Sequence, residues 1–262
     1  MTTPSYAPSP ADSRPVALVT GGAVRIGRAI SLALAAGGYD VVVHVRREGR
    51  DGDAIRNELA ATGARAALVC ADLADRDAVA GLLPAAEALL GTVHLLVNNA
   101  SEFHRDEVGA LPPALWDRHF DVNLRAPVML AEAMATRLPA GRTGAVVNIL
   151  DQRVLKPTPR FFSYSLAKAG LWQATRMLAQ ALAPRVRVNA VAPGPTLRNS
   201  RQDAGAFARQ SGAVPLGRGP TPEEIAAAVL FLAGAPSVTG QTLAVDGGQH
   251  LAWETPDATG PE

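Results

Sequence analysis

The chain has 262 residues, of which 48% are hydrophobic, and its glycines and prolines are spread along its length. This is enough for one α/β domain with a sizeable core. The net charge of +1, without a block of like charge, gives no electrostatic reason to expect nucleic acid or an anionic membrane as a partner. The single cysteine, Cys70, excludes an intrachain disulfide, and the histidines show no metal-ligand spacing, so we expect no metal.

Short runs rich in Val, Leu and Ile alternate with helical patterns along the chain, which predicts a parallel sheet wrapped by helices. The predicted strands cover residues 16–20, 41–45, 66–70, 94–97, 145–150, 186–191 and 242–245. The predicted helices lie near residues 24–37, 52–63, 75–90, 113–138, 162–183 and 222–234. We therefore expect a single-domain, Rossmann-like, doubly wound α/β sheet of about seven parallel strands, with ligands at the carboxyl ends of the strands.

Composition also divides the chain into a folded part and two tails. Residues 1–15 are rich in Pro and Ser and lack the apolar region of a secretory signal, so we predict a disordered N-terminal tail. No apolar stretch is as long as a membrane span, which favours a cytoplasmic protein. Residues 16–250 would form the folded domain and 251–262 a C-terminal tail. Residues 193–220 are assigned to a substrate-covering loop, because a long excursion at that edge of a sheet is usually functional.

A glycine-rich turn follows the first predicted strand. Its sequence, Thr20-Gly-Gly-Ala-Val-Arg-Ile-Gly27, opens the next helix. Glycines let a backbone approach a pyrophosphate, and the helix N-terminus supplies amide donors and a favourable dipole. We therefore predict that Gly21, Arg25, Ile26 and Gly27 bind a dinucleotide cofactor.

The end of the second strand indicates which dinucleotide binds. NAD-selective sites usually hold an acidic residue there, whereas this strand ends Val43-His-Val-Arg-Arg47. Arg46 or Arg47 can clamp a 2′-phosphate with a planar, charged fork, so the predicted cofactor is NADPH. Two roles are open for His44, which either packs beside the adenosine or is a buried strand histidine.

Tyr164 and Lys168 are four residues apart in Ser163-Tyr-Ser-Leu-Ala-Lys168. This spacing puts the phenol and the ammonium on one helical face, where a nearby cation favours phenolate and makes Tyr164 a better acid-base group. Lysine is rare in this chain, which has 23 arginines and only one other lysine, Lys156. Lys168 is therefore not expected to be an ordinary solvated surface residue. The alternative is a buried tyrosine beside a snorkelling lysine.

Several motifs follow one another along the chain: the glycine turn, Asn98-Asn-Ala-Ser101, Asn123, the Tyr164/Lys168 pair, Pro193-Gly-Pro195 and Val245-Asp-Gly-Gly248. Together they resemble the short-chain dehydrogenase/reductase family over residues 16–248. The resemblance implies an oxidoreductase that is usually a homotetramer, built in part through the last strand. It also implies that Asn123 binds a backbone carbonyl and an ordered water that leads protons to Lys168. The implied cofactor contacts are Asp72, Leu73, Asn99, Ala100, Ser101, Tyr164, Lys168, Pro193, Gly194 and Thr196.

Three departures from the commonest pattern of this family match its pteridine reductase branch. Arg25 replaces the middle glycine of the first motif, and an arginine there in pteridine reductases reaches both the pyrophosphate and the pterin. Ser101 replaces a glycine, and Phe103 matches an aromatic ring that stacks a pterin against the nicotinamide. Asp151 replaces the usual serine thirteen residues before the tyrosine. The implied substrate contacts are Arg25, Ser101, Phe103, Asp151 and Tyr164.

Asp151 suits the reduction of a ring C=N bond, because nitrogen needs a proton as hydride arrives at carbon. Asp151 could hydrogen-bond Tyr164 and relay a proton, whereas a serine mainly orients a carbonyl oxygen. If ionised, its charge would oppose Lys168 and raise the tyrosine pKa. The alternative role is a salt bridge with Arg153, two residues along the same strand face.

We therefore expect an NADPH-dependent reductase that transfers hydride to a pterin or dihydropterin, with dihydrofolate as a further candidate. Tyr164 would donate the proton, assisted by Lys168, Asp151 and Asn123. Two alternatives stay open. One is a carbonyl reductase acting on a 3-oxoacyl thioester, a sugar or another ketone, and the other is a catalytically silent NADP-binding sensor or scaffold. Phe161 is a gap in the resemblance, since some pteridine reductases carry a substrate-facing tyrosine there.

Overall fold

The computed structural model describes residues 14–198 and 202–253. In this part of the chain one parallel sheet contains β1 Val16–Thr20, β2 Asp40–Val45, β3 Ala66–Cys70, β4 Val93–Asn98, β5 Gly144–Ile149, β6 Val186–Pro193 and β7 Thr242–Val245. The strand order is β3-β2-β1-β4-β5-β6-β7. This confirms the predicted doubly wound α/β sheet. The disorder predicted for the N-terminal tail falls almost wholly on residues 1–13, which lie outside the described residues, as do residues 254–262 of the C-terminal tail.

The connections between strands are mostly helical. The helices are α1 Arg25–Ala36, α2 Arg50–Ala61, α3 Arg76–Leu90, α4 Pro113–Phe120, α5 Ala126–Arg137, α6 Phe162–Leu182, α7 Ala204–Gly212 and α8 Pro222–Gly234. A π-helical turn, Asp121–Arg125, separates α4 from α5. The single helix predicted over 113–138 is therefore interrupted, because Pro127 lacks an amide hydrogen and its ring clashes with the preceding turn of a regular helix. None of the described helices is both long and apolar enough to cross a membrane.

Both faces of the sheet are buried, which explains why its strands are almost continuously apolar. On one face, Val19 and Val43 pack in the core that includes residues of α1, α2 and α8. On the other, Leu18 and Val42 pack in the core that includes residues of α3, α5 and α6. The strand order reverses between β1 and β4. Ligands of such sheets bind where the order reverses, at the carboxyl ends of the strands.

Candidate active site

A cavity of about 1000 Å³ opens at the carboxyl ends of the strands. It brings together residues that are far apart in the sequence and that the motifs singled out. The predicted site residues that line it are Gly21, Arg25, Ile26, Gly27, His44, Arg46, Arg47, Asp72, Leu73, Asn99, Ala100, Ser101, Phe103, Asp151, Tyr164, Lys168, Pro193 and Gly194. Asn123 and Thr196, the two other predicted site residues, are not part of the cavity lining. The Thr196 hydroxyl instead donates to the Gly194 carbonyl at 3.1 Å.

The glycine turn after β1 is held by close backbone contacts. Gly21 has φ +60°, and a Cβ on Gly27 would lie 2.1 Å from the Gly21 carbonyl oxygen, so a side chain at position 27 cannot fit. The Asn99 amide donates to the carbonyls of Thr20 at 2.9 Å and Gly21 at 3.1 Å, which ties the end of β4 to the turn. No side chain caps the start of α1 at Val24. The first amides of that helix therefore depend on water or a ligand for partners.

His44, on β2, holds this turn through a hydrogen bond. Its Nδ1 accepts a hydrogen bond from the Gly21 amide at 3.2 Å, and its Nε2 lies 2.9 Å from the Ala71 carbonyl. Burial lowers the pKa of His44, so the neutral ring with its hydrogen on Nε2 fits both partners. The structure shows His44 as a buried strand histidine that also lines the cavity, and its packing beside an adenosine stays a prediction.

Arg25 has a strained backbone at φ +55°. Its guanidinium donates to the carbonyls of Leu197 at 3.1 Å and Arg198 at 2.9 Å, beyond the end of β6. The side chain thus links the glycine turn to the first part of the segment predicted to cover the substrate. Contacts of Arg25 with a pyrophosphate or a pterin stay a prediction.

A network of charged side chains lies along one wall of the cavity. Glu102 is its centre, because its carboxylate lies 3.7 Å from Arg46, 3.1 Å from Arg118 and 2.8 Å from His104. Arg118 also lies 3.5 Å from Asp72. This arrangement holds Arg46 near the cavity. The sequence indicated Arg46 and Asp72 but gave no reason to expect Arg118, which approaches only because α4 crosses this wall.

Tyr164 and Lys168 lie on the first two turns of α6, as their spacing predicts. Both side chains are almost fully buried, with Tyr164 5% and Lys168 2% exposed. The Tyr164 hydroxyl donates to Asp151 Oδ2 at 3.0 Å. The Lys168 Nζ donates to the Ile149 carbonyl at 2.7 Å and lies 5.9 Å from the centre of the tyrosine ring. Asp151 and Tyr164 thus form a hydrogen-bonded pair in the cavity wall.

Burial dominates the ionisation of this group. It raises the pKa of Tyr164 well above its usual value, and the negative charge of Asp151 adds to the effect while Arg153 opposes it. Burial lowers the pKa of Lys168 to about 8, although Asp151 acts in the other direction. The sequence led us to expect that Lys168 would lower the pKa of Tyr164 and that Asp151 would raise it. Burial and Asp151 together raise this pKa in the structure. Tyr164 is therefore a neutral phenol at neutral pH.

Asn123 is fully buried in the π-helical turn. Its Oδ1 accepts hydrogen bonds from the Ser101 hydroxyl at 2.9 Å and the Glu102 amide at 3.1 Å. Its Nδ2 donates to the Glu102 carbonyl at 2.9 Å, which is a backbone carbonyl contact of the predicted kind. Asn123 therefore fixes the segment that carries Ser101 into the cavity.

Three aromatic rings form one wall next to the phenol. Phe103 stacks on Phe161 with 4.4 Å between ring centres and 8° between ring planes, and it meets Tyr164 edge-on at 4.7 Å. Phe161 has a left-handed backbone at φ +57°, a strained conformation that is common at functional sites. The sequence marked Phe103 as a stacking platform. It gave no indication that Phe161 would back this ring.

The strained start of α6 is held from a distant loop. Asp106 is buried, and its carboxylate accepts the Ser163 amide at 3.2 Å and 3.3 Å as well as the Ser163 hydroxyl. The Asp106 carbonyl also accepts the Phe161 amide at 2.9 Å. The buried ring of His119 lies 2.6 Å from the Ser163 hydroxyl through its Nδ1. These contacts position the turn that carries Tyr164, and no motif in the sequence indicated them.

The donor set of the cavity fits a phosphorylated dinucleotide. The uncapped start of α1 and the tight glycine turn suit a pyrophosphate. Arg46 and Arg47, the first two residues after β2, suit a further phosphate group. Among the described residues no cluster of side chains is suited to a metal ion.

Comparisons with known proteins agree with this geometry. A family described as enoyl-(acyl carrier protein) reductase matches residues 22–250. The solved structure of FolM alternative dihydrofolate reductase 1 from Brucella suis, in complex with NADP, is 54% identical with a TM-score of 0.89, covering 93% of this chain and 98% of that one. The Brucella canis protein of the same name, complexed with NADP, is 53% identical with a TM-score of 0.90, covering 94% and 97%.

A relative of another description is also similar over nearly its whole length. The 3-oxoacyl-[acyl-carrier-protein] reductase of Synechocystis sp. is 35% identical and covers 90% of this chain and 97% of its own. The family match runs from within the glycine turn to beyond β7 and includes the Tyr164/Lys168 helix. The chain therefore belongs to the short-chain dehydrogenase/reductase family, whose members are oxidoreductases that use a nicotinamide cofactor.

Proposed function

We propose that this protein is an NADPH-dependent reductase that acts on a pterin or dihydropterin, including dihydrofolate. The observation that carries the proposal is the 3.0 Å hydrogen bond between Tyr164 and Asp151 in the cavity wall. It puts a carboxylate where the family usually has a serine, beside an aromatic platform suited to a flat heterocycle. The likeness to two alternative dihydrofolate reductases at 54% and 53% identity supports the same substrate class.

The cofactor would be held along the strand ends. The glycine turn and the start of α1 would take the pyrophosphate, Arg46 and Arg47 the 2′-phosphate, and Lys168 the nicotinamide ribose. Bound there, NADPH supplies hydride to the substrate carbon. The two Brucella proteins were crystallised with NADP, which supports this choice of dinucleotide.

The proton would come from the chain itself. Because burial raises its pKa, Tyr164 keeps its proton at neutral pH and can act as a general acid toward a ring nitrogen. Asp151 accepts the phenol hydrogen bond and so orients the hydroxyl. After the transfer it would take up a proton from solvent in the cavity and pass that proton to the phenolate. Lys168, with a pKa of about 8, exchanges protons near neutral pH and can restore the pair.

A second candidate function is the reduction of a 3-oxoacyl thioester. It is favoured by the Synechocystis relative, which carries that activity in its name. In that case Asp151 would orient the substrate through the Tyr164 hydroxyl, and Phe103 would be part of the wall without stacking on a heterocycle. The two candidates share the cofactor and the proton donor and differ in the substrate.

Initial rates of NADPH oxidation separate the two. We expect wild-type protein to oxidise NADPH with dihydrobiopterin or dihydrofolate and to lose that rate in Tyr164→Phe. Acetoacetyl thioester serves as the competing substrate and NADH as the cofactor control. Turnover of the thioester alone would select the second candidate, and cofactor binding without turnover of any substrate would leave only a binding role.

A further inference from the structure

Arg153 lies directly behind the cavity wall. It belongs to the 3₁₀ turn Gln152–Val154, which follows β5 and is capped by Asp151. Its side chain is only 18% exposed, and its buried Nε has no hydrogen-bond partner among the described residues. The arginine is therefore held by its terminal nitrogens and by its contacts with neighbouring side chains.

One set of contacts joins Arg153 to the proton-delivery pair. Its Nη1 donates to Asp151 Oδ2 at 2.8 Å, and its backbone amide donates to Asp151 Oδ1 at 2.9 Å. Oδ2 is the same oxygen that accepts the Tyr164 hydroxyl at 3.0 Å. With the Asp151 side chain 17% exposed, this ion pair is largely shielded from water. Arg153 thus fixes the rotamer of the carboxylate toward the phenol.

A second set joins the same guanidinium to the aromatic wall. Its central carbon lies 5.5 Å from the centre of the Phe103 ring and 5.3 Å from that of Phe161. These distances are within the range of cation–π attraction. The two rings are themselves stacked, and Phe103 touches Tyr164. One side chain therefore contacts both the carboxylate and the ring platform.

We infer that Arg153 is a positioning residue that couples proton delivery to substrate stacking. It would orient Asp151 toward Tyr164 through its ion pair and would brace Phe103 and Phe161 through its contact with both rings. The two roles use different parts of the guanidinium. An ammonium in its place can keep the ion pair but lacks the broad guanidinium that reaches both rings. The inference rests on the proposed function for the stacking role only.

Two substitutions separate these roles. With dihydropterin as substrate, Arg153→Met should lower kcat about 10- to 100-fold through a misplaced proton donor. It should also raise KM roughly fivefold through the loss of cation–π support for the platform. Arg153→Lys should recover most of kcat while KM stays raised. A kcat of Arg153→Lys as low as that of Arg153→Met, at equal thermal stability, would overturn the ion-pair role.

A double-mutant cycle tests whether Arg153 acts through Asp151. In an Asp151→Asn background, adding Arg153→Met should lower kcat by no more than about twofold, because the two residues work as one unit. The KM effect should persist there, since stacking does not need the carboxylate. Equal losses of kcat in both backgrounds would overturn the coupling.

The matched control is Arg176→Met on the same helix as Tyr164. Arg176 is exposed, stacks 4.7 Å from the Trp172 ring centre and contacts Gln173, so it loses a comparable cation–π contact away from the cavity. Arg176→Met should keep the kcat and KM of the wild type. If Arg153→Met also keeps both values, the inference is overturned.

If wild-type protein reduces only acetoacetyl thioester, the proposed function fails. The kcat cycle on that thioester still decides whether Arg153 positions Asp151.

Discussion

Lys168 and Tyr164 occupy the same buried environment and respond to it in opposite ways. Burial removes water from both, which disfavours the charged ammonium and the charged phenolate alike. The pKa of Lys168 falls to about 8, and that of Tyr164 rises well above its usual value. Tyr164 therefore keeps its proton at neutral pH until a substrate takes it, and Lys168 is the stronger acid of the two and can supply a proton to the phenolate.

The lowered pKa of Lys168 predicts a stability change with pH. Between pH 8 and the ordinary lysine pKa of 10.5, the unfolded chain binds more protons at this residue than the native protein, so stability should rise with pH in that window. Tyr164 adds no opposing slope below about pH 10, where it is protonated in both states. Lys168→Met should remove this rise in Tm, whereas the exposed Lys156→Met should keep it. Equal pH slopes in wild type and Lys168→Met would contradict the assignment.

A second prediction concerns the two arginines that would select NADPH over NADH. Replacing Arg46 and Arg47 together by serine should raise KM for NADPH by about tenfold or more, because charge-assisted hydrogen bonds to a phosphate are lost. KM for NADH should change little. Arg56→Ser is the control, since this arginine is on α2 and pairs with Asp53 at 2.9 Å on the surface of that helix. Equal losses with both cofactors would argue against a 2′-phosphate site.

At the scale of elements, the start of α6 is the most constrained part of the site. The helix has no cap of its own, because Phe161 precedes it in a left-handed conformation. Asp106 supplies the missing acceptor from a loop 57 residues away. The turn that presents Tyr164 and the ring of Phe161 therefore depends on tertiary structure rather than on local sequence.

Removing this long-range cap should destabilise the protein. Asp106→Ala should lower the free energy of unfolding by about 2–3 kcal/mol, since it leaves buried donors on Ser163 without a partner. Asp203→Ala, which removes the local cap of α7, should cost only about 1 kcal/mol. Denaturant unfolding of the two variants measures the difference. Equal losses would show that Asp106 is an ordinary cap.

The same contrast explains what the sequence could predict. The strands, the glycine turn and the Tyr164/Lys168 spacing follow from local patterns, and the structure has each of them. Arg153 was expected along the strand face of Asp151, yet the strand ends at Ile149 and a 3₁₀ turn brings the two side chains together. Its contact with Phe103 needs the approach of separate segments. No local pattern encodes such contacts.

At the scale of the whole molecule, one sheet carries both cores and the cavity. Its outer strand β7 is paired only with β6 among the described strands, and Leu243 on it is 39% exposed. The family resemblance implies that this strand helps to build a homotetramer, which we propose for this protein. An exposed apolar edge is consistent with burial against a second copy.

Light scattering tests the assembly. The expected mass is four times the 27.2 kDa of one chain. Leu243→Arg should lower this mass by placing a charge in the interface of β7. Val108→Arg, at a turn residue that is 71% exposed, should leave the mass unchanged. A wild-type mass of a single chain would contradict the proposed tetramer.

The central claim is that Asp151 adapts the site to a C=N substrate, and Asp151→Ser tests it most directly. The measurement is kcat/KM with NADPH for dihydropterin and for acetoacetyl thioester, in wild type and in this variant. The account predicts that the dihydropterin value falls about 100-fold, as for loss of a general acid-base group, while the thioester value is kept or rises. An unchanged preference, with dihydropterin reduced as well by the serine variant as by wild type, would contradict it.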